Sequence, residues 1–127
     1  MINEKEINSM INQDANTRLE YTIKRIVDLG VVWFIERDKK LVLLNDEFSN
    51  IIVPIWPFKE FADLFAEVEY ADCKVNSVSM DDFLKFDIPI FQRENFKISL
   101  FPLNTGKGSV IEIDLFLNLV NEEMDKY

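Results

Sequence analysis

The groups that could do chemistry in this chain are a lysine between two glycines, one thiol, three runs of carboxylates and a surplus of aromatic rings. Asn104-Thr105-Gly106-Lys107-Gly108 sets glycine amides beside an ammonium, which is the composition of an anion-holding loop. A Walker-type loop would need glycine where Phe101 stands and Ser or Thr where Gly108 stands, so that motif is absent. The segment also joins strand to strand and lacks a following helix N-terminus. A hairpin turn using glycine for positive φ accounts for the same residues. Those five positions carry the expectation of a site for an anionic small molecule.

Cys73 sits beside Asp72, whose charge opposes a thiolate, and with no histidine in the chain nothing can activate it as a nucleophile. The missing histidine also removes Ser-His-Asp chemistry and zinc sites built from Cys and His, and no S-x-x-K spacing occurs. Carboxylates at Glu67/Glu69/Asp72, Asp81/Asp82/Asp87 and Glu122/Glu123/Asp125 lack the calcium-loop spacing and read as solvated helix ends. The expectation is no catalytic residue, no metal and no cofactor, which leans against an enzyme. The rings are 16 of 127 residues; most are core by spacing, and Trp33 and Trp56 are the two candidates for contacting a partner.

Elements must position these groups. Ile7, Met10 and Ile11 predict a short N-terminal helix that frays within residues 1–13. Asp14 as N-cap, an apolar face of Leu19, Ile23, Ile26 and Val27, and Gly30 as C-terminal stop predict a second. Residues 31–36 and 41–44 read as a hairpin, and 51–56 as a strand that Pro54 confines to an edge or a bulge. Pro57 opens a helix with Phe58, Phe61, Ala62, Phe65 and Val68 on one face. Residues 74–78 form a strand, Ser79 caps a helical turn through Phe83, Leu84 and Phe86, and Ile88-Pro89 ends it. A half-buried strand at 96–101 pairs with 109–113 across the 104–108 turn, and Asp114 caps a last helix with Phe116, Leu119, Val120 and Met124 inward. Hairpins interspersed with helices, without strict βαβ alternation, give an α+β domain spanning 1–127, with one mixed or mostly antiparallel sheet of about six strands.

Composition sets the outer bounds. The formal charge is −9, the larger share of it in residues 64–127, and the basic clusters Lys24-Arg25 and Arg37-Asp38-Lys39-Lys40 are too small for a phosphate-tracking stripe, so no nucleic acid is expected. The longest apolar run, Ile51 to Phe58, has eight residues, well under the ~20 of a spanning helix, and Met1-Ile2-Asn3-Glu4-Lys5-Glu6 has no leader pattern. A cytoplasmic protein with no membrane contact is expected.

Read in order, Arg18-Leu19-Glu20-Tyr21-Thr22-Ile23-Lys24, Val32-Trp33, Val53-Pro54-Ile55-Trp56-Pro57, Glu60-Phe61-Ala62, Val78 to Leu84, Ile98-Ser99-Leu100-Phe101-Pro102 and Gly106-Lys107-Gly108 resemble a family of small, mainly bacterial proteins catalogued as domain of unknown function 2750. The resemblance covers about residues 14–125 and departs at Phe86, where the family often has tryptophan. A weaker, architectural likeness is to the N-terminal domain of the SseB proteins. The resemblance implies a fold and no activity. From the residues themselves the expectation is a protein-binding, accessory, regulatory or immunity-type role toward a basic partner; the alternative is a small enzyme or binding protein using residues 104–108 for an anion.

Overall fold

The computed structural model describes residues 2–105 and 108–127. Helix α1 (Glu4–Ile11) is capped by Asn3, whose Oδ1 accepts from the Glu6 amide at 2.8 Å. It does not hang free: Tyr21 donates to the Glu6 carboxylate at 2.5 Å and Ile2 is buried beneath it. Helix α2 (Ala15–Leu29) starts and stops where its sequence says. Asp14 accepts from the Thr17 amide at 2.8 Å, and Gly30 closes the helix in the left-handed region at φ 69°, its N–H returning to Ile26 O.

Among the described residues seven strands form two sheets rather than the expected one. Strands β1 (Val31–Arg37), β2 (Lys40–Leu41) and β5 (Lys74–Ser79) make an antiparallel sheet in the order β2-β1-β5. Strands β3 (Leu44–Asn45), β4 (Ile51–Ile55), β6 (Lys97–Leu100) and β7 (Ser109–Ile111) make a second, in the order β3-β4-β6-β7, whose β4–β6 pair is parallel. The first hairpin turns on Asp38 and Lys39, both at positive φ, as a tight two-residue turn between right-twisted strands requires. The predicted strand 41–44 is instead split: Leu41 ends the first sheet and Leu44 begins the second.

One antiparallel bridge joins the sheets, with Trp33 N donating to Trp56 O at 3.0 Å and Trp56 N to Trp33 O at 2.9 Å. It also explains Pro54. Amides alternate sides along a strand, so residue 54 faces the same way as Trp56, away from β6. On that side β3 pairs only with Ile51 and Ile52 and β1 is bridged only to Trp56, which leaves no backbone partner paired to residue 54. Pro54 therefore lies in an inner strand, at the seam between sheets, and neither at an edge nor in a bulge.

Helix α3 (Lys59–Ala66) begins two residues after Pro57, with Phe58 as its N-cap, and ends before Val68, which is 72% exposed instead of inward. Ile88-Pro89 does not end the next helix. Helix α4 (Met80–Asp82), capped by Ser79 Oγ at 3.1 Å, runs into a π-helical turn (Phe83–Asp87) and on into α5 (Ile88–Arg93). The Ile88 amide reaches back to Phe83 O across the wider turn, and Pro89 then falls in the first turn of α5, where its missing N–H is no loss. Phe86 points outward and is exposed. Helix α6 (Ile113–Met124) takes Ile113 from the predicted strand and has Glu112, without a side-chain bond, at the N-cap expected of Asp114. Phe116 and Val120 are buried, whereas Met124 is exposed.

The apolar side chains gather in two clusters. One sets Val53, Ile55, Ile98 and Leu100 of the second sheet against Ile23 and Ile26 of α2, Phe83, Ile88 and Phe91, and Phe116 and Val120 of α6. The other surrounds Trp56 with Ile35, Phe61, Ala62 and Phe101, closed by α1 and α3. The fold is α+β, and no helix of the described residues is long and apolar enough to cross a membrane.

Candidate functional site

Strand parity decides which face of the second sheet is left open. Val53, Ile55, Ile98 and Leu100 point into the helix-covered core, so their neighbours Leu44, Ile52, Ser99 and Val110, aligned by the register, point the other way. Among the described residues no helix lies across that second face. Two loops wall it, residues 46–48 on one side and 102–105 on the other, and α3 reaches it only through Phe65. The result is a groove of about 640 Å³, the size of a small-ligand cleft, with an apolar floor of Leu44, Ile52 and Val110.

Each wall is built by local bonds. Asp46 Oδ1 accepts from the Phe48 and Asn50 amides at 2.9 Å each, and its Oδ2 accepts from Asn50 Nδ2 at 2.8 Å. These bonds, led by that from the Asn50 side chain, hold its carboxyl below the usual aspartate range, and the bent loop presents Phe48 at 76% exposure. Opposite, Phe101 is held in the left-handed region at φ 56°, unusual for a bulky residue. It is over-determined there: its ring is buried, its amide donates to Ile55 O at 2.9 Å, and its carbonyl accepts from Arg18 Nε at 3.0 Å. Arg18 is itself buried, a desolvation that lowers its pKa, and its Nη1 also donates to Gln13 O at 2.7 Å. The following chain is tied down where Trp56 Nε1 donates to Pro102 O at 3.1 Å and Asn104 Nδ2 to Leu64 O at 2.5 Å.

Of the five residues expected to form a site, Asn104, Thr105 and Gly108 do line this groove, while Gly106 and Lys107 lie outside the described residues. Asn104 spends its amide on the end of α3, so its role is first to fix the loop. Gly108 is needed for a close approach: a Cβ there would stand 2.6 Å from Ser99 Oγ, 2.7 Å from Leu100 O and 2.9 Å from Pro102 N. The same approach buries Ser99, so β6 is covered on both faces there and not half-buried as its alternation suggests. Gly108→Ala is expected to cost about 1–3 kcal/mol by overpacking, read as a lower urea midpoint at unchanged slope. An unchanged midpoint would mean that the chain does not pass so close to the sheet.

The other candidates separate. Trp56 is 0% exposed and offers no surface to a partner, because its ring fills the second core; Trp33 is only partly buried. Cys73 lies beside the two-pronged Arg37–Asp72 pair, both contacts 3.0 Å, and its thiol pKa is raised, first by burial. Among the described residues no three acidic or thiol side chains are grouped to hold a metal ion. The 46–48 wall has little signature in the sequence beyond Asp46 followed by Asn50.

The family model described as Protein of unknown function (DUF2750) matches residues 19–119, a stretch that includes both groove walls. That match does not extend to the SseB likeness. No curated protein matches the chain.

Proposed function

Since the chain belongs to the DUF2750 family, whose description assigns no activity, we propose from its own geometry that it is a protein-binding domain whose groove receives an apolar side chain of a basic partner. One observation carries the reading: a sheet face without a helix over it, apolar in its floor and carrying Asp46, Glu47 and the exposed ring of Phe48 on its rim. An apolar anchor supplies affinity in such a setting, while a formal charge of −9 steers a basic partner toward it. The role is accessory, regulatory or immunity-type, exercised in the cytoplasm by occupying that partner. The second reading is an anionic small molecule held through residues 104–108, with Asp46 and Glu47 in the same lining opposing it.

The test is a titration of the partner retained by the tagged chain from its native host. Affinity is expected to fall as salt is raised, to fall in Asp46→Asn/Glu47→Gln, and to be lost in Val110→Asp, which charges the groove floor. Binding insensitive to salt and to Val110→Asp, or recovery of a partner-free monomer carrying a small metabolite, would overturn it.

A further inference from the structure

Among the described residues the two sheets end in β2, β3, β5 and β7, and three of these edge strands are only two or three residues long. Strand β5 is the exception: six residues in unbroken register with β1 on one side and, among the described residues, no strand on the other. The bridge between the sheets fixes which of its groups face outward. Trp33 turns its N–H and C=O toward Trp56, away from β5, so Ser77 opposite it turns both of its own away from β1, and by alternation Val75 and Ser79 do the same.

Both faces of β5 are packed, Val75 against the Trp56 cluster and Val78 against the other, yet none of its six residues is buried, because the edge itself is open. Proline and bulges, which commonly close an edge, are absent from it, and its one charge, Lys74, stands at its start. The Ser77 amide donates to Oδ1 of its neighbour Asn76 at 2.8 Å, a local substitute for a strand partner.

We propose that β5 pairs antiparallel with β5 of a second copy of the chain about a twofold axis at Ser77, joining two three-stranded sheets into one of six strands. The outward residues are symmetric about that position, so Val75 meets Ser79 of the second copy and Ser77 meets Ser77, all as hydrogen-bonded pairs. The ends match in charge. Lys74 comes to lie opposite Met80 and beside Asp81 of the second copy, and among the described residues neither Lys74 nor Asp81 makes an ion pair within its own chain. Asp72, near the same end, is already held by Arg37 at 3.0 Å. An unrelated strand satisfies the backbone alone, whereas a second copy also matches both charged ends by symmetry. No residue of β5 lines the groove, so the two surfaces are independent.

The test is sedimentation of the full chain from about 1 μM to about 1 mM in ~0.15 M salt, which screens the charge of −9 on each copy. A monomer–dimer equilibrium is expected. Ser77→Pro removes an outward amide, spares the β1 ladder and should abolish the dimer. Lys74→Glu should weaken it severalfold, and Lys74→Glu/Asp81→Lys should restore it. Asn76→Thr frees the Ser77 amide and should tighten it severalfold, a gain that a folding defect cannot mimic. Cys73→Ser/Ser77→Cys should form a disulfide-linked dimer on mild oxidation, because opposed residues of a hydrogen-bonded pair stand ~5.5 Å apart between Cα atoms. Cys73→Ser/Asn76→Cys should not, its two thiols being diagonal at about 7–8 Å. A monomer throughout, a dimer that survives Ser77→Pro, a dimer lost in Val110→Asp instead, or crosslinking through position 76 rather than 77 would overturn the proposal.

Discussion

Phe61→Ala is expected to remove about 3–5 kcal/mol of folding stability, enough to lower the urea midpoint severely or to unfold the chain outright. The ring is 2% exposed and lies 4.3 Å from Phe101 and 6.1 Å from Tyr21 between centroids. Removing it empties the centre of the second core and takes away the support that keeps Phe101 in its left-handed conformation. Phe65→Ala is the informative contrast. Phe65 is only partly buried, stacks on Tyr70 at 5.5 Å and lines the groove, so its loss should cost clearly less. Equal losses for the two, or a loss under about 1 kcal/mol for Phe61, would show that α3 packs on a different face.

Trp56→Ala is the second substitution of that size, about 3–5 kcal/mol. The indole is fully buried, lies 5.0 Å from the Phe65 ring and donates from Nε1 to Pro102 O at 3.1 Å, so truncation leaves a cavity and an orphaned carbonyl together. Trp56→Phe separates the two: most of the volume stays, and the lost hydrogen bond should cost about 1–3 kcal/mol. Trp33→Ala, on the partly buried side of the bridge, should cost less than Trp56→Ala. Urea unfolding followed by circular dichroism decides the order; Trp33 as the costlier residue would contradict the placement of the two rings.

What could be foreseen in the sequence was what neighbouring residues determine. Asp14 and Gly30 bound α2 because an N-cap and a left-handed stop are local chemistry, and Ser79 caps its helix for the same reason. Pro54 and Pro89 were misjudged because proline is harmless wherever its amide would have no partner, and only the tertiary arrangement says where that is. The seam between two sheets provides one such place and the π-helical turn the other. The split of residues 41–44 is likewise invisible locally, since Leu41 and Leu44 suit either sheet equally well.

The candidate site was half legible. Glycine and asparagine marked residues 104–108 as a loop with unusual backbone, and Asn104, Thr105 and Gly108 do line the groove. Its floor could not be foreseen, because Leu44, Ile52 and Val110 come together only through the register of three strands, two of them too short to show alternation. Trp56 failed for the opposite reason. An indole is large and amphipathic enough to suit a surface, and its burial at the sheet junction is decided by neighbours distant in sequence.

Site-specific photocrosslinking in the native host tests the groove most directly. A photoreactive phenylalanine at position 48, on the groove rim, is compared with one at position 86, also aromatic and exposed but on the π-helical turn. The account predicts a single heavier adduct from position 48, containing a basic protein and abolished by Val110→Asp, and no adduct from position 86. An adduct from position 86 without one from position 48, or a position 48 adduct that survives Val110→Asp, would contradict it.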